Sequence, residues 1–291
     1  MSTHSQVSFP LSAEQQEHFD RNGYVVASGV LTAGEVTSLR AFLESLFDAG
    51  VKHKGDVQIR GGVEGRGGGV RHDIFSRYPE MRFLLTHPAI LGPLRSLLGP
   101  DFVFLPEMAV HDSRYGHWHK DTTPMERAGV TFHWAPDFRF VECGIYLQDN
   151  DEYGGGLDVV PASHLEPDHT PPAPKVTLLQ RARAKLGLPI AQPAEAPVEE
   201  HSISIPSAAG DLVIFDFHIN HMATQPSACS VNDVPLDKRK LAIFFACSAN
   251  NQHVAPYVDF IRGQYEHLKA GHVYPQELRE LVLKSGVGLP D

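Results

Sequence analysis

GDLVIFDFHINH, residues 210–221, is the stretch from which the fold is read. Gly210-Asp211 is a turn signal, LVIFDFHI is a strand, and His221 falls where that strand should end. The same texture recurs on both sides. FVFLPEMAV, GVTFHW, FVECGIYLQ, GLDVVP, HSISI and KLAIFFACSA are short β-rich runs from Asp101 onward, punctuated by Gly, Pro and Asp. Such a series predicts an antiparallel sandwich or barrel over 101–250.

Upstream, the pattern is helical. Residues 12–22 read as a short polar helix with Ser12 as N-cap and Gly23 as stop. GYVVASGVL is a strand. From Thr32, Val36, Leu39, Phe42, Leu43 and Leu46 recur at helical spacing up to Gly50. Residues 51–72 are a Gly- and Arg-rich loop, and Pro79–Leu98 reads as one or two helices ended by Gly99-Pro100. The expected class is therefore mainly β with helical support, a single domain over 1–291. Its helical support spans 12–100, its core 101–250 and its C-terminal helices 251–291. An insertion at 165–207, rich in Pro and Ala around the helical VTLLQRARAKLG, is a candidate lid. The C-terminal helices are expected to cap the barrel or make a dimer contact.

Composition narrows the function. Hydrophobic residues are 42% and charged residues 21% of the 291, which permits a sizeable core and argues against wholesale disorder. Asp plus Glu (35) outnumber Lys plus Arg (25), a net charge of -10 that opposes a nucleic-acid-binding surface. The apolar run Leu241–Cys247 is far short of the ~20 residues of a membrane span. MSTHSQVSFP lacks a secretory pattern. Three Cys form no disulfide framework, so a reducing, cytoplasmic setting and a small-molecule partner are expected, with a monomer or homodimer.

The 17 His direct attention to metal ligation. In Gly116-His117-Trp-His119-Lys-Asp121, strand alternation places His117, His119 and Asp121 on one face and Trp118 and Lys120 on the other. A polar strand end would look the same. His221 stands about a hundred residues later, with His218 on the opposite strand face. Arg239 opens the last strand. If it points inward with Leu241, Ile243 and Phe245, it needs a carboxylate, and an acidic ligand would supply one. Two His and one carboxylate with open positions is the arrangement of non-haem iron(II) oxygenases.

This ordered set resembles the phytanoyl-CoA dioxygenase family of Fe(II)/2-oxoglutarate-dependent oxygenases. The motifs are His119-Lys-Asp121, then Tyr153-Gly-Gly155-Gly156-Leu157-Asp-Val-Val-Pro161-Ala-Ser163-His164, then Gly210-Asp211 with His221, then Arg239-Lys240. Ala162 stands where the family's run usually has Gly. The resemblance spans roughly residues 12–250 and implies a double-stranded β-helix, a cupin-like jelly roll. It further implies His119, Asp121 and His221 as ligands of Fe(II), with His117 as competing first ligand. Arg239 would hold the far carboxylate of 2-oxoglutarate, with Lys238 and Lys240 as competitors. Relatives often have Ser or Thr two residues after the distal His; Ala223 is there instead, and Thr224 is the substitute. The implied reaction consumes dioxygen, decarboxylates 2-oxoglutarate to succinate and hydroxylates an unactivated C–H bond of a small metabolite. Nickel or zinc would also suit such a site.

Arg71, Trp134, Tyr146 and Gln148, together with His117, are candidates to line the substrate pocket; Arg60 and Arg66 share the Gly-rich loop with Arg71. Two rivals stand. A zinc hydrolase would use His117-x-His119-x-Asp121, but Thr122 occupies the position where a further His usually follows. A non-catalytic jelly-roll binding module would not need the complete triad.

Overall fold

The computed structural model describes residues 10–48, 53, 56–58, 68–167, 200–269 and 272–290. VTLLQRARAKLG, Arg60 and Arg66 lie outside the described residues. Helix α1 (Ala13–Asn22) begins with a capping box: Ser12 Oγ accepts from the Gln15 N–H, and the Gln15 side chain accepts from the Ser12 N–H. It ends at Gly23, whose φ of 81° is the left-handed cap that glycine adopts freely. Strand β1 (Tyr24–Ala27) follows. Helix α2 (Ala33–Asp48) buries Val36, Leu39, Leu43, Leu46 and Phe47. A short α3 (Ile74–Arg77), a 3-10 stretch at Pro79–Thr86 and α4 (Pro88–Leu98) complete the N-terminal support.

The strands form two antiparallel sheets. Beyond β1 they are β2 (Val57–Gln58), β3 (Gly69–His72), β4 (Val103–Asp112), β5 (Phe140–Tyr146), β6 (Leu157–Val159), β7 (Ile203–Ser204), β8 (Leu212–Asp216), β9 (His221–Ala223) and β10 (Leu241–Ser248). The major sheet has the order β1-β8-β5-β10-β4-β3-β2 and the minor sheet β7-β6-β9. A bridge between His119 and His221 adds one more position to the minor sheet. This is the expected jelly-roll architecture.

Alternation along β10 sorts its side chains between two cores. Leu241, Ile243, Phe245 and Cys247 join the N-terminal helices. Ala242 and Phe244 face the minor sheet, in a cluster with Tyr146, Val213, Phe215, Leu157 and Val159. Burying a large apolar side chain contributes about 1.5–3 kcal/mol, so the register of this central strand is strongly specified. Helix α6 (Val254–Gln264) sets Tyr257, Val258 and Ile261 against Leu105, Phe140, Phe217 and Ala246, closing one end of the space between the sheets. Helix α7 (Gln276–Lys284) buries Leu278 and Val282 on the helical side.

Two local features depart from simple alternation. GVTFHW is not a strand. Pro124 opens a short helix α5 (Thr123–Arg127) that draws Met125 into the cluster under α6. The chain then turns at Gly129 (φ 72°), and Phe132–Trp134 forms a 3-10 turn. Packing of Met125 and Phe132 overrides the β character of the run. The second departure lies in β4. Phe245 faces Met108 and Cys247 faces Phe104, so three residues of β4, Leu105-Pro106-Glu107, stand opposite Ala246 alone. A proline without an N–H is tolerated at such a bulge, and the irregularity re-aims its neighbours.

Candidate metal and substrate site

His119, Asp121 and His221 meet at the open edge of the minor sheet. His119 and His221 exchange both backbone N–H···O bonds, 3.0 and 2.9 Å, and their ring centroids lie 4.3 Å apart. The Asp121 N–H donates to the Phe217 carbonyl at 3.0 Å. Lys120 points the other way, its Nζ donating to the carbonyls of Ser163 (2.8 Å) and Glu166 (2.7 Å). The Gly-rich motif serves the same end: Ser163 Oγ accepts from the Asn220 N–H at 2.8 Å, fixing the residue before His221.

One nitrogen or oxygen donor from each of the three residues lies within 4.8 Å of the others. The His119 Nε2 and His221 Nε2 atoms are 3.7 and 3.9 Å from Asp121 Oδ1. Each ring donates its Nδ1–H to a backbone carbonyl two residues back, His119 to His117 (2.6 Å) and His221 to Ile219 (3.1 Å). A carbonyl can only accept, so Nε2 of both rings keeps its lone pair for a metal. Asp121 Oδ2 is buried without a hydrogen-bond partner. Burial pushes the Asp121 carboxyl up to about 6 and holds His221 well below the ordinary imidazole range. An unsatisfied carboxylate facing two imidazole Nε2 atoms is a donor set that suits a divalent transition metal. His117 is exposed and lies outside this group of donors, and its carbonyl accepts from the His119 ring.

A cavity of about 440 Å³ opens between the sheets from the triad. Lys240, not Arg239, reaches it. Arg239 shares a face with Leu241, as expected, but that face belongs to the helical core. There its Nη1 lies 3.5 Å from buried Asp112 and its Nη2 3.9 Å from Glu44 of α2. The acidic partner is therefore the protein's own. Lys240 is buried, has no carboxylate partner among the described residues, and lies 5.5 Å from the Phe244 ring centre. Burial, aided by Arg114, brings it down to about 7.

The other expected pocket residues take structural places. Thr224 turns away from the cavity and donates to Asp158 Oδ1 at 2.6 Å, while Ala223 lines it. Arg71 is buried against Asp56 (3.9 Å), the Val57 carbonyl and the Phe47 ring. Trp134 is 39% exposed and donates to Glu126. Gln148 accepts from the Leu241 N–H at 2.7 Å and donates to the Gly155 carbonyl, bracing β10. Tyr146 does face between the sheets, but as fully buried packing against Phe244 outside the cavity wall. His218 pairs with Asp216 and the His133 carbonyl, away from the triad.

The cavity wall instead includes residues that the sequence motifs did not mark: Glu107, His111, Arg114, Glu142, Tyr265 and His267. Glu107 accepts from the Tyr257 hydroxyl, and burial pushes its carboxyl up to about 8. Burial, with Asp121 and Glu107 nearby, raises Glu142 well above the carboxylate range. Pro106 inside a strand was the one available signal, because it marks the bulge that aims Glu107 inward.

The ectoine dioxygenase of Halomonas elongata is 27% identical over 273 residues, covering 85% of this chain and 73% of the relative. That of Sphingopyxis alaskensis is 25% identical over 232 residues, covering 73% and 70%. Among solved structures, EctD from S. alaskensis with bound Fe superposes with a TM-score of 0.57 at 20% identity, covering 86% of this chain and 79% of that one. HygX from Streptomyces hygroscopicus with nickel and 2-oxoglutarate bound gives 0.54 at 18% identity, covering 83% and 88%. A family model described as phytanoyl-CoA dioxygenase matches residues 19–229. That match covers well over half of the sequence, and the chain belongs to the phytanoyl-CoA dioxygenase family.

Proposed function

We propose that this protein is an Fe(II)/2-oxoglutarate-dependent dioxygenase that hydroxylates a C–H bond of a small metabolite. The observation that carries the reading is the convergence of His119, Asp121 and His221, each imidazole presenting a free Nε2 at the mouth of the cavity. These three residues would hold the iron. Lys240 takes the place expected of Arg239 and would hold the far carboxylate of 2-oxoglutarate by a charge-assisted hydrogen bond. Iron and co-substrate, when bound, supply the oxidative chemistry: dioxygen is consumed, 2-oxoglutarate yields succinate and carbon dioxide, and one oxygen atom enters the substrate.

The chain's own contribution is placement. The His119–His221 bridge ties the two imidazoles to one geometry, and Asp121 neutralises part of the metal's charge. The apolar wall of Leu157, Phe215, Phe217 and Phe244 limits water near the reacting carbon. A cavity of about 440 Å³ suits a small molecule beside the co-substrate. A zinc hydrolase built on His117 is disfavoured because that residue lies outside the group of three donors, and a merely binding module by the intact donor set.

The test is anaerobic addition of Fe(II) and 2-oxoglutarate. A visible charge-transfer band, absent in Asp121→Ala, supports the reading; no band in the wild type overturns it. Turnover of ectoine would show whether the substrate named for its relatives extends to this chain.

A further inference from the structure

We propose that Glu142 and Glu107 form a subsite for a cationic nitrogen group, an amidinium or ammonium, at the end of the cavity closed by α6, and so restrict the substrate to small basic molecules. The inference rests on the oxygenase reading, because it places the cation beside the proposed iron centre.

The two carboxyls are brought together by sheet register. Glu142 pairs with Ala246 on β10, and the bulge of β4 sets Glu107 opposite the same residue. Ala246 has almost no side chain, so the space between the two acids stays open. Glu107 spends one oxygen on the Tyr257 hydroxyl and keeps the other. Glu142 has no hydrogen bond or ion pair among the described residues, although protein encloses it and its accessible surface belongs to the cavity. Asp121 acts on both carboxyls and Glu107 and Cys143 act on Glu142, and none of these groups is a cation. Burying carboxyls without a counter-charge is costly, and a fold that needed only packing would place apolar residues there. Phe217 and Tyr265 also line the cavity, and aromatic faces favour cations.

The opposite end carries the opposite sign. Lys240, directly before β10, lies six residues back from Ala246, roughly 20 Å at strand rise. Arg114 and His111 line the cavity with it. The polarity sorts the two ligands: a dicarboxylate is drawn to the Lys240 end and repelled from the glutamates, and a cationic substrate is held the other way round.

The experiment uses the protein loaded anaerobically with Fe(II) and 2-oxoglutarate, and titrates benzamidine, benzamide and benzoate by calorimetry. These probes share a skeleton and differ in charge. Benzamidine should bind at least about tenfold tighter than benzamide, with benzoate weakest. Glu142→Gln should erase that preference, and Glu107→Gln should reduce it. Equal or absent affinity for benzamidine in the wild type overturns the assignment, as does a preference that survives in a folded Glu142→Gln protein. If Glu142→Gln fails to fold, the wild-type ranking and Glu107→Gln decide. The charge-transfer band is read in the same samples: its absence defeats the oxygenase reading, whereas a normal band without amidine selectivity defeats only the subsite.

Discussion

Arg239 and Lys240 are consecutive in the chain and lie on opposite sides of the major sheet, one paired with Asp112 in the helical core and the other facing the cavity. Both residues directly precede β10, whose own side chains alternate between the same two sides. This split separates a residue that holds the fold together from one placed to hold a ligand, and substitution can tell the two apart.

Lys240→Met should raise the 2-oxoglutarate concentration needed for half-saturation by at least about tenfold, the loss of a charge-assisted hydrogen bond, with the fold retained. Arg239→Met should instead destabilise the protein by about 3–5 kcal/mol, because Asp112 is left buried without its counter-charge. Denaturant unfolding and co-substrate titration of both variants check this. A co-substrate defect confined to Arg239→Met would restore the expectation drawn from the motif.

Metal loading should depend on three side chains and be indifferent to a fourth. His119→Ala, Asp121→Ala and His221→Ala should each abolish the charge-transfer band and turnover. His117→Ala should keep both, since only the backbone carbonyl of residue 117 is used. Metal analysis and visible spectra of the four variants suffice; loss of iron in His117→Ala alone would reverse the assignment.

Affinity for 2-oxoglutarate should weaken as pH rises above neutrality. In the free protein Lys240 titrates at about 7, so its ammonium form prevails below that pH and its neutral form above. A bound carboxylate favours the ammonium, so binding takes up a proton at higher pH. The dissociation constant should then grow by up to about tenfold per unit. The stability term has its own sign. The folded pKa lies below the unfolded one, so the unfolded chain holds more protons between about 7 and 10, and this group's penalty to folding fades as pH rises through that window. Lys240→Arg should flatten the binding profile between pH 7 and 8.5; an already flat wild-type profile would remove Lys240 from the role.

Ala162 adopts φ 65°, a left-handed conformation that costs an L-residue about 1–2 kcal/mol and glycine little. Ala162→Gly should therefore stabilise the protein by about 1 kcal/mol, after the extra entropy of an unfolded glycine is subtracted. The gain should appear as a higher melting temperature with iron binding intact, because the turn also carries Ser163 against Asn220. A lower melting temperature would mean that the alanine methyl earns its place by packing.

Much of the site's frame was legible in order and spacing. Ser12 and Gly23 bound α1 because caps are local chemistry. The strands from Val103 onward follow from alternation, and His221 follows from its position beyond β8. What alternation misjudged were places where several segments pack together: Phe132–Trp134 gives up strand geometry to the cluster under α6, and Arg71, Gln148 and Thr224 find partners remote in sequence.

By itself the sequence determined most strands of the core, though not β2 and β3 within the Gly- and Arg-rich segment, and that two imidazoles and a carboxylate are available to one metal, because turn chemistry, side-chain period and ligand type are properties of short segments. Only the tertiary structure decided that Arg239 faces Asp112, that Lys240 rather than Arg239 lines the cavity, and that Glu107 and Glu142 flank Ala246. Those outcomes depend on which strand lies beside which and on a bulge at Pro106. A shift of one residue in register moves a side chain to the other face of a sheet, and no local pattern encodes the neighbour that sets the register.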